Sequence, residues 1–129
     1  MEYELKHGQA LVITGPQGCG KTTLARKIAE QHGAFVETDA RQLETPRGLN
    51  DLMASEPGTV ICDGMPESED AREFLKAMIT GDPVMVERKF STPKMVKAPN
   101  FIFCSGEANP ILLAEGDRRF RVVHLCAPA

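Results

Sequence analysis

The chain has 129 residues and a mass of 14.1 kDa, and its 15 basic and 18 acidic side chains leave a net charge of −3. This length fits one domain with one core, and a hydrophobic content of 42% excludes wholesale disorder. The acidic balance excludes a protein that coats nucleic acid by bulk charge, and apolar runs of about four residues exclude a membrane span. The first five residues lack the features of a signal peptide, so we expect a single-domain cytoplasmic protein.

Strand-like and helix-like segments alternate along the chain. The apolar run Ala10–Thr14 predicts a buried strand, and 22–32 predicts a helix that ends before Gly33. A second strand is predicted at 34–37, and a short helix around 48–54. The later predicted elements are a strand at Thr59–Asp63, a helix over 68–79, and strands at 101–105 and 121–125. The apolar face predicted for the helix over 68–79 consists of Ala71, Phe74, Leu75, Met78 and Ile79.

A segment of another kind precedes the strand at 101–105. Residues 84–90 are β-prone, 91–93 form a turn signal, and 94–97 return as a second short strand. This pattern predicts a β-hairpin inserted into an α/β chain. Because the other strands are separated by crossover helices, the sequence predicts a parallel sheet covered on both faces.

The four cysteines do not form a recognisable framework. They lie far apart in sequence, without a Cys-x-x-Cys pair or a cysteine–histidine cluster at zinc spacing. We therefore predict reduced, structural thiols at Cys19, Cys62, Cys104 and Cys126. The three histidines show no metal spacing and no nucleophile partner, which predicts surface or packing roles for His7, His32 and His124.

The strongest functional signal is a glycine-rich segment between the first strand and the first helix. It matches G-x-x-x-x-G-K-[ST] in full, in the strand–loop–helix context that the motif requires. Its glycines let backbone N–H groups surround phosphate oxygens, and the helix that follows adds its positive dipole end. The motif predicts binding of ATP with Mg²⁺, with Lys21 on the β- and γ-phosphates and Thr22 on the metal. The predicted nucleotide-binding residues are Gly15, Pro16, Gln17, Gly18, Cys19, Gly20, Lys21, Thr22 and Thr23.

A second metal-binding residue is predicted at the end of the third strand. Asp63 follows the apolar run 59–62 and supplies a carboxylate for the metal's water shell. A helix–strand–helix unit separates the glycine-rich segment from this strand. The two strands are therefore not consecutive, and another strand can lie between them in the sheet.

Several segments together resemble the superfamily 3 helicase branch of AAA+ P-loop ATPases, which occurs in phage, viral and plasmid replication proteins. The resemblance covers residues 8–125 in order. It rests on the glycine-rich segment, the strand ending at Asp63, and the segments 74–82, 86–90, 101–105 and 117–120. It implies a P-loop NTPase fold, with a five-stranded parallel sheet of order 5-1-4-3-2 flanked by helices and a β-hairpin before the fourth strand.

The resemblance also implies roles for polar residues outside the glycine-rich segment. A sensor residue is expected at either Ser105 or Asn109. A trans-acting arginine finger is expected at Arg118 or Arg119, which implies a homo-oligomer, most simply a hexameric ring. The hairpin at 84–97 would point basic side chains at DNA in the ring's pore, and these are Arg88, Lys89, Lys94 and Lys97.

The chain departs from this family at the residue after Asp63. The family has a glutamate there that orients the attacking water, whereas this chain has Gly64. The alternative carboxylates are Glu67 and, at the end of the second strand, Glu37 or Asp39. Without a base, nucleotide binding would survive while hydrolysis slowed by roughly two to four orders of magnitude. The family's helical lid has no counterpart in 129 residues, which predicts a minimal module.

Other interpretations remain open at this point. A small P-loop kinase would use the paired Arg118 and Arg119 near an acceptor pocket, and a nucleotide-gated assembly factor would bind ATP with little hydrolysis. The basic residues of the hairpin can also serve as a solvated edge that prevents aggregation. Arg118 or Arg119 can instead pair with an acidic neighbour such as Asp117.

Overall fold

The computed structural model describes residues 9–16, 18–79, 83–87, 92–106 and 119–125. Strands and helices alternate as predicted. For most elements, the first and last residues lie within two residues of the predicted ones. None of the helices in these ranges is long and apolar enough to cross a membrane. In chain order the elements are β1 (Ala10–Thr14), α1 (Lys21–Glu30), β2 (Phe35–Asp39), α2 (Ala40–Leu43), α3 (Pro46–Ala54), β3 (Thr59–Asp63), α4 (Glu69–Ile79), β4 (Val84–Val86), β5 (Lys94–Val96), β6 (Asn100–Ser105) and β7 (Phe120–His124).

Five strands form one parallel sheet, in the order β2-β3-β6-β1-β7. Because β6 and β7 are the fourth and fifth strands of this sheet, the predicted order 5-1-4-3-2 is confirmed. Strand β6 lies between β1 and β3, and its register pairs Thr14 with Ser105 and Asp63 with Cys104. The sheet therefore brings the carboxyl ends of β1 and β3 to the same edge, one strand apart.

Both faces of the sheet are covered, as predicted. Alternate residues of each strand point to opposite faces, so Leu11 and Ile13 pack with Ala25 and Ile28 of α1. On the other face Val12 and its neighbours pack against α2, α3, α4 and the hairpin. Burying both faces explains why β1, β3 and β6 are nearly continuous apolar runs rather than alternating ones.

Two short helices, α2 and α3, follow β2, where the sequence predicted a polar stretch and then a single helix around 48–54. Asp39 caps α2 by accepting hydrogen bonds from the backbone N–H groups of Arg41 and Gln42. Thr45 caps α3 by accepting from Gly48 N, with Pro46 in the first turn. The prediction of one helix was incomplete because the first cap signal, Asp39, directly ends a strand.

The apolar face predicted for α4 is wrong at one position. Ala71, Leu75, Met78 and Ile79 are buried, but Phe74 is 47% exposed. At 3.6 residues per turn, Phe74 lies roughly 100° from the middle of the buried stripe. It therefore lies beside the core-facing surface of the helix rather than on it.

The predicted hairpin is present, with shorter strands than predicted. Strands β4 and β5 pair antiparallel in a sheet of their own, and residues 88–91 lie outside the described residues. Val86 and Val96 are buried in the core shared with α3, whereas Met85 and Met95 face solvent. Asn50 of α3 holds the hairpin by donating to Glu87 O and accepting from Glu87 N, both at 2.8 Å.

Candidate nucleotide-binding site

The loop between β1 and α1 has the backbone conformation that a phosphate-binding loop requires. Gly18 and Gly20 have φ angles of 83° and 92°, in the left-handed region that favours glycine. Gly20 is also the N-cap of α1, and a glycine has no side chain that could cap the helix. The first N–H groups of α1 are therefore left for an anionic ligand. Gln17, predicted to bind nucleotide, lies outside the described residues.

Gly15 is required by close packing rather than by its φ angle. A Cβ atom at this position would lie 2.7 Å from Cys19 Sγ and 2.7 Å from Leu125 O. Gly15 N also donates to Ser105 O at 3.3 Å. The start of the loop is thus held between the ends of β6 and β7, with no room for a side chain.

An open cavity of about 440 Å³ lies over this loop, at the carboxyl edge of the sheet. We call it the loop cavity. The Lys21 Nζ atom donates to Gly15 O at 2.7 Å and to Pro16 O at 3.1 Å, so carbonyl groups of the loop hold the ammonium group beside the cavity. The described residues that line the loop cavity are Gly18, Gly20, Lys21, Thr22, Thr23, Asp63 and Gly106.

The donor set of the loop cavity fits a magnesium ion shared with phosphate groups. The Thr22 hydroxyl and the Asp63 carboxylate are hard oxygen ligands, the type that Mg²⁺ prefers. Within the described ranges, no group of three or more His, Cys, Asp or Glu residues is placed to hold a metal alone. Magnesium typically takes one or two protein oxygens and completes its shell with water and phosphate oxygens, which matches this sparse set.

The glycine after Asp63 has a structural reason. Gly64 has a φ of 87°, and its N–H donates to Cys104 O at 2.8 Å. The chain turns away from β3 in a left-handed conformation that costs a non-glycine residue about 1–2 kcal/mol. In this backbone geometry a glutamate at position 64 would be strained.

The three alternative carboxylates do not line the loop cavity. Glu37 accepts from Arg26 Nε at 3.1 Å and forms an ion pair with its Nη2 atom at 2.9 Å, which raises the pKa of Arg26. Asp39 caps α2, as described above. The backbone N–H of Glu67 donates to the carboxylate of Glu44, which also accepts from Ser68 N. Among the described residues, Asp63 is the one acidic side chain that lines the cavity.

Of the two candidate sensor residues, Ser105 is described and lies close to the phosphate loop. Ser105 is 6% exposed and ends β6, beside the start of the phosphate loop. The next residue, Gly106, lines the loop cavity, and sequence reasoning did not single it out. The sequence feature that could have identified Gly106 is its position directly after β6, the strand that lies between β1 and β3. Asn109 lies outside the described residues.

Arg119 lies far from the loop cavity of its own chain. It precedes β7, and its carbonyl accepts from Ala10 N at 2.7 Å, at the amino end of β1. The five residues of β7 separate Arg119 from the carboxyl edge of the sheet. At about 3.3 Å per residue, this strand is roughly 16 Å long. Arg118 and Asp117 lie outside the described residues.

The basic residues of the hairpin are only partly described. Lys94 forms an ion pair with Glu56 at 3.0 Å, and Lys97 is exposed. Arg88 and Lys89 lie outside the described residues. The Lys94–Glu56 pair helps to fasten β5 beside the end of α3.

The described cysteines are free thiols, as predicted. Cys62 and Cys104 are buried in strands, and Cys19 is partly exposed in the loop. Burial raises the pKa of Cys62, and it raises the pKa of Cys104 to about 11. Both buried thiols are therefore protonated at neutral pH and chemically unreactive. Cys126 lies outside the described residues.

Comparisons with known proteins agree with this geometry. Residues 13–119 match a family described as a family of unknown function, DUF5906. The apo structure (A form) of the NrS-1 C-terminal region superposes with a TM-score of 0.67 at 26% identity, covering 97% of this chain and 31% of that one.

Two curated relatives are similar to this chain over part of their own length. The chain is 30% identical over 126 residues to shikimate kinase 2 of Enterobacter sp. (strain 638), covering 93% of this chain and 58% of that protein. It is 39% identical over 56 residues to the sn-glycerol-3-phosphate import ATP-binding protein UgpC of Bordetella avium (strain 197N), covering 43% of this chain and 15% of that protein. The chain thus spans between 15% and 58% of these relatives. The matched range, the five-stranded sheet and the glycine-rich loop together show that the chain belongs to the DUF5906 family and is a P-loop module with the P-loop NTPase fold.

Proposed function

We propose that this chain is a Mg²⁺-dependent ATPase module of the superfamily 3 helicase type. In this proposal identical subunits form a ring and act on DNA or on a DNA-bound partner. The observation that carries the proposal is the convergence of Lys21, Thr22 and Asp63 on one cavity, at the N-terminus of α1, where the N-cap residue is a glycine. An ammonium group, a hydroxyl group and a carboxylate at a helix N-terminus are the groups that a nucleoside triphosphate with its metal requires.

The phosphate loop supports ATP binding through groups that are already in place. The first residues of α1 line the loop cavity, and the left-handed conformations of Gly18 and Gly20 are those in which a backbone can surround phosphate oxygens. The Lys21 ammonium group, now on two carbonyl groups, can exchange these for phosphate oxygens. Thr22 and Asp63 would hold Mg²⁺. The ion, when bound, neutralises negative charge on the phosphoryl oxygens.

The position of Arg119 supports action between subunits. Its place at the amino edge of the sheet, opposite the loop cavity, prevents it from reaching a phosphate bound in its own chain. An arginine finger at this position would have to serve the cavity of a neighbouring subunit, which is the arrangement that a ring provides. By resemblance to the helicase family, the hairpin would be the element that contacts DNA. Its described basic residues are Lys94 and Lys97.

A small P-loop kinase is the second candidate. The similarity to shikimate kinase 2 over 126 residues favours it. The inserted hairpin and the distance of Arg119 from the loop cavity favour the ring instead, because a kinase needs its arginine in cis. A nucleotide-gated assembly factor remains a variant of the ring proposal, and Gly64 in place of the glutamate favours slow hydrolysis in it.

Two measurements separate these functions. The mass of the protein in solution, with and without Mg-ATP, should increase to that of an oligomer if the ring proposal is right. ATP turnover should then be measured with and without single-stranded DNA, because stimulation by DNA distinguishes a motor from an assembly factor. A protein that stays monomeric with Mg-ATP and transfers phosphate to a small hydroxylated acceptor would overturn the ring and establish the kinase.

A further inference from the structure

A histidine that the sequence offered only as a surface or packing residue contacts the residue before the phosphate loop. The Nδ1 atom of His124, at the end of β7, lies 2.6 Å from the Thr14 hydroxyl. Thr14 is the last residue of β1 and is 1% exposed, whereas His124 is exposed. A buried hydroxyl group is thus satisfied by a side chain from the neighbouring strand.

The same two strand ends are joined by the backbone. Leu125 N donates to Thr14 O at 2.7 Å, immediately after His124. Leu125 O would lie 2.7 Å from a Cβ atom on Gly15, so the end of β7 also packs directly against the first loop residue. The end of β7 therefore fixes Thr14 through a side-chain bond and a main-chain bond, and Gly15 through contact.

This junction continues to the lysine of the phosphate loop. The carbonyl of Gly15, one residue after Thr14, accepts from Lys21 Nζ at 2.7 Å. A shift of Thr14 would move Gly15, and with it the carbonyl group that holds Lys21. Binding sites of this kind depend on supporting residues that keep their backbone within about 0.5 Å of the productive geometry.

We propose that His124 is a positioning residue for the phosphate loop, which acts through its hydrogen bond to Thr14. The inference rests on the proposed binding of a nucleoside triphosphate at this loop. His124 does not line the loop cavity, so it touches neither phosphate nor metal there. Its effect is on how well the loop presents Gly15 and Lys21 to a polyphosphate.

The test compares variants that remove or keep the hydrogen bond. His124→Leu and Thr14→Val each delete one partner. His124→Asn keeps a polar atom on Cγ, where Nδ1 is bonded, and Thr14→Ser keeps the hydroxyl. The matched control is His32→Leu, which changes an exposed histidine two residues after α1. Calorimetry of these five variants, and of the double variant His124→Leu with Thr14→Val, gives the affinities for Mg-ATP and for inorganic tripolyphosphate. Thermal unfolding shows whether each variant is folded.

The two deletions should each raise the dissociation constants for both probes by about five- to tenfold, the effect of one hydrogen bond. The double variant His124→Leu with Thr14→Val should show no more than the single loss, because both remove the same interaction. The dissociation constants of His124→Asn, Thr14→Ser and His32→Leu should stay within about twofold of the parent values. If His124 had a purely structural role, its deletion would lower the unfolding temperature and leave the dissociation constants unchanged.

Unchanged affinity in folded His124→Leu or Thr14→Val would overturn the proposal, as would additive losses in the double variant. If His124→Leu does not fold, Thr14→Val against Thr14→Ser still gives the decisive comparison. A parent that binds tripolyphosphate but not Mg-ATP contradicts the proposed function and leaves this comparison measurable. A parent that binds neither probe contradicts both.

Discussion

Asp39 and Asp63 are register partners at the carboxyl ends of β2 and β3, yet Asp63 lines the loop cavity and Asp39 caps α2. Two carboxylates at equivalent ends of adjacent strands thus have different surroundings. Glu37 lies two residues farther from this edge and is bound to Arg26. Asp63 therefore lies at the loop cavity, Asp39 lies beside it on the neighbouring strand, and Glu37 lies farther from the carboxyl edge.

Replacement of the carboxylates should follow that ranking. Asp63→Ala should abolish Mg²⁺-dependent hydrolysis because it removes the proposed metal ligand. Among Glu37→Gln, Asp39→Asn and Glu67→Gln, we expect Asp39→Asn to lower turnover most, since Asp39 adjoins Asp63. Asparagine caps helices as well as aspartate, so this variant should keep its stability, and steady-state turnover at saturating ATP measures the effect. Parent-level turnover in all three amide variants would show that the base lies outside this set.

Lys21→Ala tests nucleotide binding itself. The variant lacks the ammonium group beside the loop cavity but keeps the glycine backbone, so its fold should be unchanged. The affinity for Mg-ATP should fall at least about tenfold, which corresponds to about 1.4 kcal/mol. Lys27→Ala, on the exposed side of α1, is the matched control. Calorimetry that gave the parent affinity for Lys21→Ala would contradict ATP binding at this loop.

Arginine variants test the action between subunits. Arg118→Ala or Arg119→Ala should lower hydrolysis by about 10³-fold or more, as loss of an arginine finger does, while ATP affinity is retained. A Lys21→Ala subunit keeps its arginines, so mixing it with an arginine variant should restore hydrolysis in the mixed ring. Turnover measured across mixing ratios gives the result. No recovery at any ratio, with the protein monomeric in Mg-ATP, would rule out the trans site.

Gly64 should be intolerant of a side chain for a reason independent of catalysis. Because its φ is 87°, Gly64→Ala should lower the free energy of unfolding by about 1–2 kcal/mol. Gly106→Ala is the control, since no atom of the described residues lies within 4 Å of a Cβ atom there and its φ is not in the left-handed region. Urea denaturation compares the two. Equal stability of both variants would mean that position 64 is not conformationally restricted.

The buried thiol of Cys104 predicts a loss of stability in alkali. Its pKa is raised by burial from about 9 to about 11, so the folded chain holds this proton more tightly than the unfolded chain does. The associated stability is complete below pH 9 and is lost as the pH rises toward about 11. In urea titrations, the free energy of unfolding should therefore fall less steeply over this range in Cys104→Ala than in the parent or in Cys19→Ala. An identical slope in all three would contradict the assignment.

The sequence alone determined the elements whose signals are local. The glycine-rich motif fixed the phosphate loop, and apolar runs between crossover helices fixed a parallel sheet. The order of the strands came from the resemblance to a known family, and the observed pairing agrees with it. The sequence identifies Asp63 as a candidate metal ligand, because a carboxylate at the end of a parallel strand lies at the same sheet edge as the loop.

Only the tertiary structure decided which polar residues meet. The ion pair of Arg26 with Glu37, the cap at Asp39 and the bond between His124 and Thr14 join residues whose pairing depends on side-chain direction and strand neighbours. The two partners in the last pair are 110 residues apart and carry no local signal. Local propensity and periodicity specify strands and helices, whereas contacts between them depend on how the sheet packs the whole chain into one core.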